Sequence, residues 1–357
     1  MRRARALSIT VMLCLLPLTP AAQPPVVPTR TELAPGVFVF SRPGYGDVGL
    51  DGNSIVVTSR DGVLVFDTNG TPGASAAVLS EIRKLTDQPV RWIVNSHWHW
   101  DHWYGTETYQ RAFPDVRIVS HEKNRELMMG PALAFNKPFL EEQLPAYIKS
   151  VERRAADAPD LKPLLEADQA FFEQKKNVRL VLPNVTFSNR MAIELGERHL
   201  EVLNYGRGVT PGDTFVYLPK ERLLLLGDLI VNPITFALSG YPTEWLAVLE
   251  KIDALDATTI VTGHGPPLHD KTLLHATMEV FRVLLREGRA ARARGLDPDQ
   301  AKEAIFPGLH DLMVTITGDR APMNNAFKSQ LVDWYLHRVY EELDGPLSDA
   351  ISKIPAS

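Results

Sequence analysis

Asn95-Ser96-His97-Trp98-His99-Trp100-Asp101-His102-Trp103-Tyr104-Gly105 is the stretch that decides the reading of this chain. It follows the apolar run Val90–Asn95, which the pattern predicts as a buried strand. Side chains at the end of such a strand sit on a rigid support, where ligands and catalytic groups are commonly placed. In extended backbone, residues two apart face the same side, so His97 and His99 are placed to converge on one metal ion. Trp98 and Trp100 then face the other way and read as core. As the chain turns into the next helix, Asp101 and His102 are placed to face a neighbouring point. Four nitrogen and oxygen donors within six residues carry a ligand spacing that a lone core histidine does not.

Two later positions extend the pattern. Gly227-Asp228 closes the apolar run Leu223–Leu226 and puts a carboxylate at a strand end. Gly263-His264-Gly265 follows the apolar run Thr259–Val261 and puts an imidazole at another. The remaining histidines, His121, His199, His269, His275, His310 and His337, lack ligand spacing and read as structural. Trp103 and Tyr104 adjoin the cluster, either as substrate contacts or as core aromatics.

Taken together, His97-x-His99-x-Asp101-His102, Gly227-Asp228 and Gly263-His264-Gly265-Pro266 resemble the metallo-β-lactamase superfamily. The similarity runs over most of Thr31 to Leu268, including Gly62–Thr68 (GVLVFDT) and Val216–Pro219 (VYLP). The resemblance implies an α/β fold, an αββα sandwich with metal ions, zinc foremost, held between loops at one edge of two sheets. It implies His97 and His99 on a first metal, Asp101, His102 and His264 on a second, and Asp228 bridging them.

One position departs from that family pattern. The superfamily supplies a third histidine to the first metal from a turn that here reads Gly206-Arg207-Gly208-Val209-Thr210-Pro211-Gly212-Asp213. Val209 stands where that histidine belongs, and valine has no lone pair to offer. His199, in a predicted strand ten positions upstream, is not expected to substitute. The second site keeps Asp101, His102, His264 and Asp228, enough for a tightly held ion. The first keeps His97, His99 and a share of Asp228, so its ion is expected to be loose or exchangeable. Asp213 either fixes an imidazole from behind or is a simple turn residue.

A bound divalent ion lowers the pKa of its water from about 15.7 toward about 7, which would supply a nucleophile at neutral pH. Asp101 is the candidate catalytic residue, orienting that water and moving a proton besides ligating metal. The expected function is an exported metal-dependent hydrolase of a small ester, lactone, amide or β-lactam-like substrate. The alternative is a metal-binding or ligand-sensing protein of the same fold with little turnover. Redox relatives fit less well: diiron members carry Glu at the position of His99, and mono-iron sulfur-oxidising members use the histidine that Val209 replaces.

Composition narrows the partners. The 357 residues are 45% hydrophobic and 23% charged, values of a globular chain rather than a disordered one. Lys and Arg number 38 against 43 Asp and Glu, a net charge of −5, which offers no broad basic surface for nucleic acid. Three arginines (Arg2, Arg3, Arg5), an apolar run Leu7–Leu18 and small residues at Ala21-Ala22 form the layout of a signal peptide over residues 1–22. Its removal takes away three arginines and no acid, giving a net charge of −8 and losing Cys14, the single cysteine. Metal chemistry in the mature chain then rests on nitrogen and oxygen donors. The expected location is periplasmic or secreted, with no stable membrane span and a small-molecule substrate; the oligomeric state is not readable.

Along the mature chain, a Pro-rich linker is expected over residues 23–30 and the sandwich over 31–268, with a helical insertion at about 130–176. A C-terminal helical extension over 269–357 is expected to pack on the same domain. Val178–Leu182 reads as a strand, a short apolar run bounded by turn signals.

Overall fold

The structure, a computed structural model, describes residues 28–41 and 51–350. The expected signal peptide at residues 1–22, and most of the expected linker, lie outside the described residues. The first strand, β1 (Thr29–Ala34), begins two residues inside that linker and pairs antiparallel with β2 (Val37–Ser41).

Among the described residues, twelve strands form two sheets. The first sheet continues through β3 (Ser54–Ser59), β4 (Gly62–Phe66), β5 (Val90–Val94), β6 (Arg117–His121) and β7 (Val185–Phe187), in sequence order from β1 to β7. The second holds β8 (Arg190–Leu195), β9 (Arg198–Leu203), β10 (Phe215–Leu218), β11 (Leu223–Leu225) and β12 (Thr259–Val261), in spatial order β12-β11-β10-β9-β8. Alternation along the strands builds the layers. Leu64 and Phe66 of β4 face Val216 and Leu218 of β10 in the core between the sheets. Their neighbours Val63 and Val65 face outward to α1 (Pro72–Leu85), onto Val78, Leu79 and Ile82. Phe215 and Leu224, on the other face of the second sheet, meet α8 (Pro242–Asp253) and the C-terminal helices. The result is the αββα sandwich.

Between α1 and β6 lie α2 (Trp100–Trp103) and α3 (Thr106–Ala112), and α4 (Glu122–Met128) follows β6. The insertion comprises α5 (Pro131–Pro138), a π-helical stretch Phe139–Gln143, α6 (Leu144–Asp157) and α7 (Lys162–Lys176). α6 buries Leu144, Ile148, Val151 and Ala155, a helical stripe of the expected amphipathic kind. α7 is different, since its buried stripe is Asp168, Phe171 and Lys175. C-terminal to β12, helices run from α9 (Thr272–Ala293) to a last helix at Trp334–Asp344. They share one buried cluster with the outer face of the second sheet, including Phe281, Leu284, Tyr335 and Val339. No helix among the described residues is long and apolar enough to cross a membrane.

One expected strand is absent. Val178–Leu182 is irregular, and the edge of β6 pairs instead with β7, Val119 opposite Val185. The alternating residues Val178, Leu180 and Leu182 pack on Trp98, Trp103 and Tyr104, so their periodicity records burial without a ladder partner.

Candidate metal centre

Parallel pairing delivers the site. β4 with β5, and β11 with β12, carry their C-terminal ends to the same edge of the sandwich. Asp67 follows β4, the histidine-rich loop follows β5, Gly227-Asp228 follows β11 and Gly263-His264 follows β12. Two glycines allow these loops to meet. Gly227 sits at φ 55, and a Cβ there would lie 2.6 Å from Ser96 Cβ. A Cβ on Gly263 would overlap the Asp228 carboxylate.

Donor atoms gather in two groups that share His102: Asp101, His102 and His264 in one, His97, His102 and Asp228 in the other. Asp101 Oδ2 is 3.2 Å from His102 Nε2 and 2.9 Å from His264 Nε2. Asp228 Oδ1 is 3.3 Å from His102 Nε2 and 3.7 Å from His264 Nε2. Donors held about 2.0–2.2 Å from a tetrahedral ion lie about 3.3–3.6 Å from one another. His102 Nε2 sits near that spacing from both carboxylates, while the Asp101–His264 separation is shorter and the Asp228–His264 separation slightly longer. The other oxygen, Asp228 Oδ2, lies 3.6 Å from His97 Nε2. Asp228 therefore turns one oxygen toward each set of donors. His97 Nε2, His102 Nε2 and Asp228 Oδ1 are buried and make no hydrogen bond, the condition of atoms awaiting a cation. The His264 side chain is 22% exposed while that of His102 is fully buried, so the site opens on the His264 side.

The nitrogens aimed inward are fixed from behind. Asp67 Oδ2 lies 2.8 Å from His102 Nδ1 and accepts the Ser96 hydroxyl at 2.7 Å; Asp67 Oδ1 accepts the Ser96 N–H at 2.7 Å. With its proton given to Asp67, Ser96 Oγ is left to accept from His97 Nδ1, 2.9 Å away. One carboxylate thereby sets both imidazoles to carry their protons on Nδ1 and their lone pairs on Nε2. Burial pushes the pKa of Asp67 up, with His102 opposing. Burial also opposes charge on His102, yet Asp101, Asp228 and Asp67 outweigh it and raise its pKa well above the ordinary value. Burial holds His97 well below the usual histidine range, and the neighbouring His102 and His99 add to this. For Asp101, burial opposes ionisation, but His102 and His264 hold its carboxyl well below the usual range.

Of the residues singled out from the sequence, His97, Asp101, His102, Asp228 and His264 fall into two overlapping donor groups. His99 lies beside them, its ring 4.4 Å from that of His97, but its nitrogens are outside both groups. Val209 is fully buried in the apolar cluster with Phe215, Leu229 and Trp245. Asp213 touches no imidazole: its carboxylate accepts the Thr210 N–H at 2.9 Å and the Thr210 hydroxyl at 2.7 Å. It is a turn residue, and burial raises its pKa to about 7. The group behind the imidazoles is Asp67, whose only sequence signal is a carboxylate closing the run Gly62–Phe66. His121 caps α4 and His275 pairs with Asp253, structural roles, and neither belongs to the donor groups. Trp103 is buried, its indole N–H donating to the Trp98 carbonyl, and Tyr104 is buried beside it.

Comparisons with known proteins agree with this geometry. The family model described as the metallo-β-lactamase superfamily matches residues 47–264. The linear primary-alkylsulfatase of Pseudomonas sp. (strain ATCC 19151) is 23% identical over 271 residues, covering 70% of this chain and 49% of the relative. The chain thus spans about half the length of that curated relative. Among solved structures, a metallo-β-lactamase from Pontibacter korlensis superposes with a TM-score of 0.52 at 21% identity, covering 71% of this chain and 99% of that one. A metallo-β-lactamase from Erythrobacter litoralis gives a TM-score of 0.52 at 16% identity, covering 72% and 97%. At these identities the structural likeness is one of fold.

Proposed function

Because this chain belongs to the metallo-β-lactamase superfamily, we propose that it is a metal-dependent hydrolase built around one firm and one weak cation site. The observation that carries the proposal is the meeting of two buried donor groups at His102, with Asp101 and His264 on one side and His97 and Asp228 on the other. Asp101, His102, His264 and Asp228 would hold the firm ion, zinc by the chemistry of the donors. His97, the second oxygen of Asp228 and a reoriented His99 would hold the weaker one. Bound there, a divalent cation supplies an activated water and a Lewis acid for developing negative charge. Asp101, at the junction of His102 and His264, orients the attacking water and takes up its proton. Asp67 and Ser96 keep the imidazole lone pairs on the inward nitrogens throughout.

The substrates proposed are small esters, lactones, amides and β-lactams. Sulfate esters join them because the curated relative is an alkylsulfatase. The layout of residues 1–22 supports placing the mature enzyme outside the cytoplasm. Metal analysis of protein purified without added metal, followed by a substrate screen at full zinc occupancy, tests the proposal. One tight ion per chain and turnover of a member of these classes is the expected result. Two equally tight ions would overturn the asymmetry, and a metal-loaded protein without turnover would favour the binding or sensing role instead.

A further inference from the structure

α7 of the insertion carries a cation into the wall of the donor cluster. Lys175 is 4% exposed, and its Nζ donates to the Gly70 carbonyl at 2.9 Å. The same ammonium lies 3.3 Å from the centre of the Trp100 ring and 4.2 Å from that of Tyr104. Trp100 immediately precedes the ligand pair Asp101-His102, and Tyr104 follows it by two positions. Gly70 is equally close to the site: a Cβ there would lie 2.8 Å from the Asp101 Cα and 2.6 Å from the Trp100 ring. Its N–H donates to Asp51 Oδ1 at 2.6 Å, and the residue after Asp51, Gly52, donates its N–H to the Asp101 carbonyl at 3.0 Å. Around it, Thr68 N–H donates to the His102 carbonyl and Gly105 N–H to the Asn69 carbonyl. Asp67 and Asn69 both adopt left-handed backbone, so the segment Lys175 grips is one that strands and helices do not hold on their own.

We propose that Lys175 is a positioning residue for the metal centre, clamping the 67–70 loop against Trp100 and Tyr104 so that Asp101 and His102 present their donor atoms together. The helical insertion is then more than a cover over the sandwich: it reaches the ligands through one ammonium. A structural reading, in which α7 merely packs through Phe171 and the stem of Lys175, predicts that any side chain of similar length serves. Burial works against charge on Lys175 and lowers its pKa well below the ordinary lysine value, while Asp51 and Asp101 favour the charged form. The clamp predicts that the terminal amino group is required, because the Gly70 carbonyl needs an N–H donor that a methyl group cannot supply.

The inference rests on the proposed metal site, and zinc affinity separates the two. Zinc titration against a chromophoric chelator, read with the visible spectrum of the cobalt-substituted protein, compares wild type, K175M and K175C. The full chain holds one cysteine, so in a C14S background 2-bromoethylamine modifies position 175 alone and rebuilds an ammonium on a stem of lysine length. Lys175 lines a cavity of about 280 Å³ beside Tyr104, Asn136 and Leu180, which gives the reagent access. K175M and K175C are expected to bind zinc about 10–100-fold more weakly with an altered cobalt spectrum, and aminoethylation is expected to restore both. Zinc affinity unchanged in K175M, or a loss that aminoethylation does not reverse, would overturn the inference while leaving the metal site standing. A wild type with no tight zinc would remove the site itself, and the inference with it.

Discussion

Asp67→Asn tests the orientation of the ligands with the least disturbance. Asp67 sits at φ 58, in the left-handed region that asparagine tolerates and alanine does not, so the amide keeps the backbone unstrained. The carboxylate accepts three hydrogen bonds, from His102 Nδ1, the Ser96 hydroxyl and the Ser96 N–H. An amide has one oxygen for these and turns an NH2 toward the rest. If the oxygen stays on Ser96 N–H, the NH2 faces His102 Nδ1, and two donors meet. The conflict is relieved when His102 moves its proton to Nε2, which is where the ligand lone pair must be. Loss of such a partner behind a ligand costs about 10–100-fold in metal affinity, or about 1.4–2.8 kcal/mol. Zinc competition titrations at neutral pH read this directly, with metal-free melting curves as the control for folding. D67N with unchanged zinc affinity and a normal melt would refute the reasoning, since it would show that the tautomers are set elsewhere.

Three further outcomes follow from the same geometry. Chelation of the bound metal should lower the melting temperature reversibly, because zinc at a hundredfold excess over its Kd contributes about 2.7 kcal/mol and its loss exposes Asp101 and Asp228 to each other; an unchanged melt would argue against an ion at these ligands. V209H should be destabilised by about 1–3 kcal/mol, as an imidazole without a partner enters an apolar cluster, and should gain no second tight ion; a second ion as tight as the first by metal analysis would show that position 209 reaches the site. D213N should gain on wild type as pH rises. Burial lifts the pKa of Asp213 to about 7, so the folded state holds its proton up to that pH while the unfolded state releases it near 3.8. The stability contributed by that proton is full below the unfolded value and is lost as pH rises through 7, up to about 4 kcal/mol in all. Urea titrations of both proteins from mildly acidic to mildly alkaline pH measure the gap, and a constant gap would show that Asp213 does not titrate there.

What the sequence discloses depends on how far apart the cooperating residues lie. His97, Asp101 and His102 are legible because one loop carries them, and strand geometry dictates where each faces. Asp228 and His264 are legible as polar residues closing apolar strands. Asp67 has the same signature, yet its task is hidden, because its imidazole partner is 35 positions away and adjacency depends on β4 pairing with β5. Val178–Leu182 misleads for the opposite reason: a short apolar run reports that side chains are buried, and irregular chain against Trp98 and Trp103 buries them as well as a strand does. Lys175 is invisible to any pattern of apolar spacing. It occupies a buried position of α7 that periodicity would assign to the apolar face, and the surroundings that favour a cation there (the Gly70 carbonyl, the Trp100 and Tyr104 rings, and the Asp51 and Asp101 carboxylates) come from distant parts of the chain.

The substitution at position 209 reads in the sequence as the loss of one ligand, but the surroundings of Val209 make it part of a larger arrangement. Its carbonyl accepts the Ser239 hydroxyl at 3.0 Å, and the Gly208 carbonyl accepts the Tyr241 N–H at 2.9 Å. Arg207, one residue earlier, binds Glu244 of α8, stacks on Tyr241 and donates to the Leu347 carbonyl and Asp349 beyond the last helix. Trp245, fully buried, donates its indole N–H to the Leu229 carbonyl and packs on Phe281 of α9. The turn that carries a histidine elsewhere in the family is thus fastened from outside by α8 and the C-terminal helices, with valine filling the apolar space they create. An imidazole and a valine ask for opposite surroundings, a polar opening and a dry one, and the C-terminal region supplies the second. The proposed imbalance between the two cation sites would then follow from the packing around the turn, and a single histidine at position 209 is not expected to undo it.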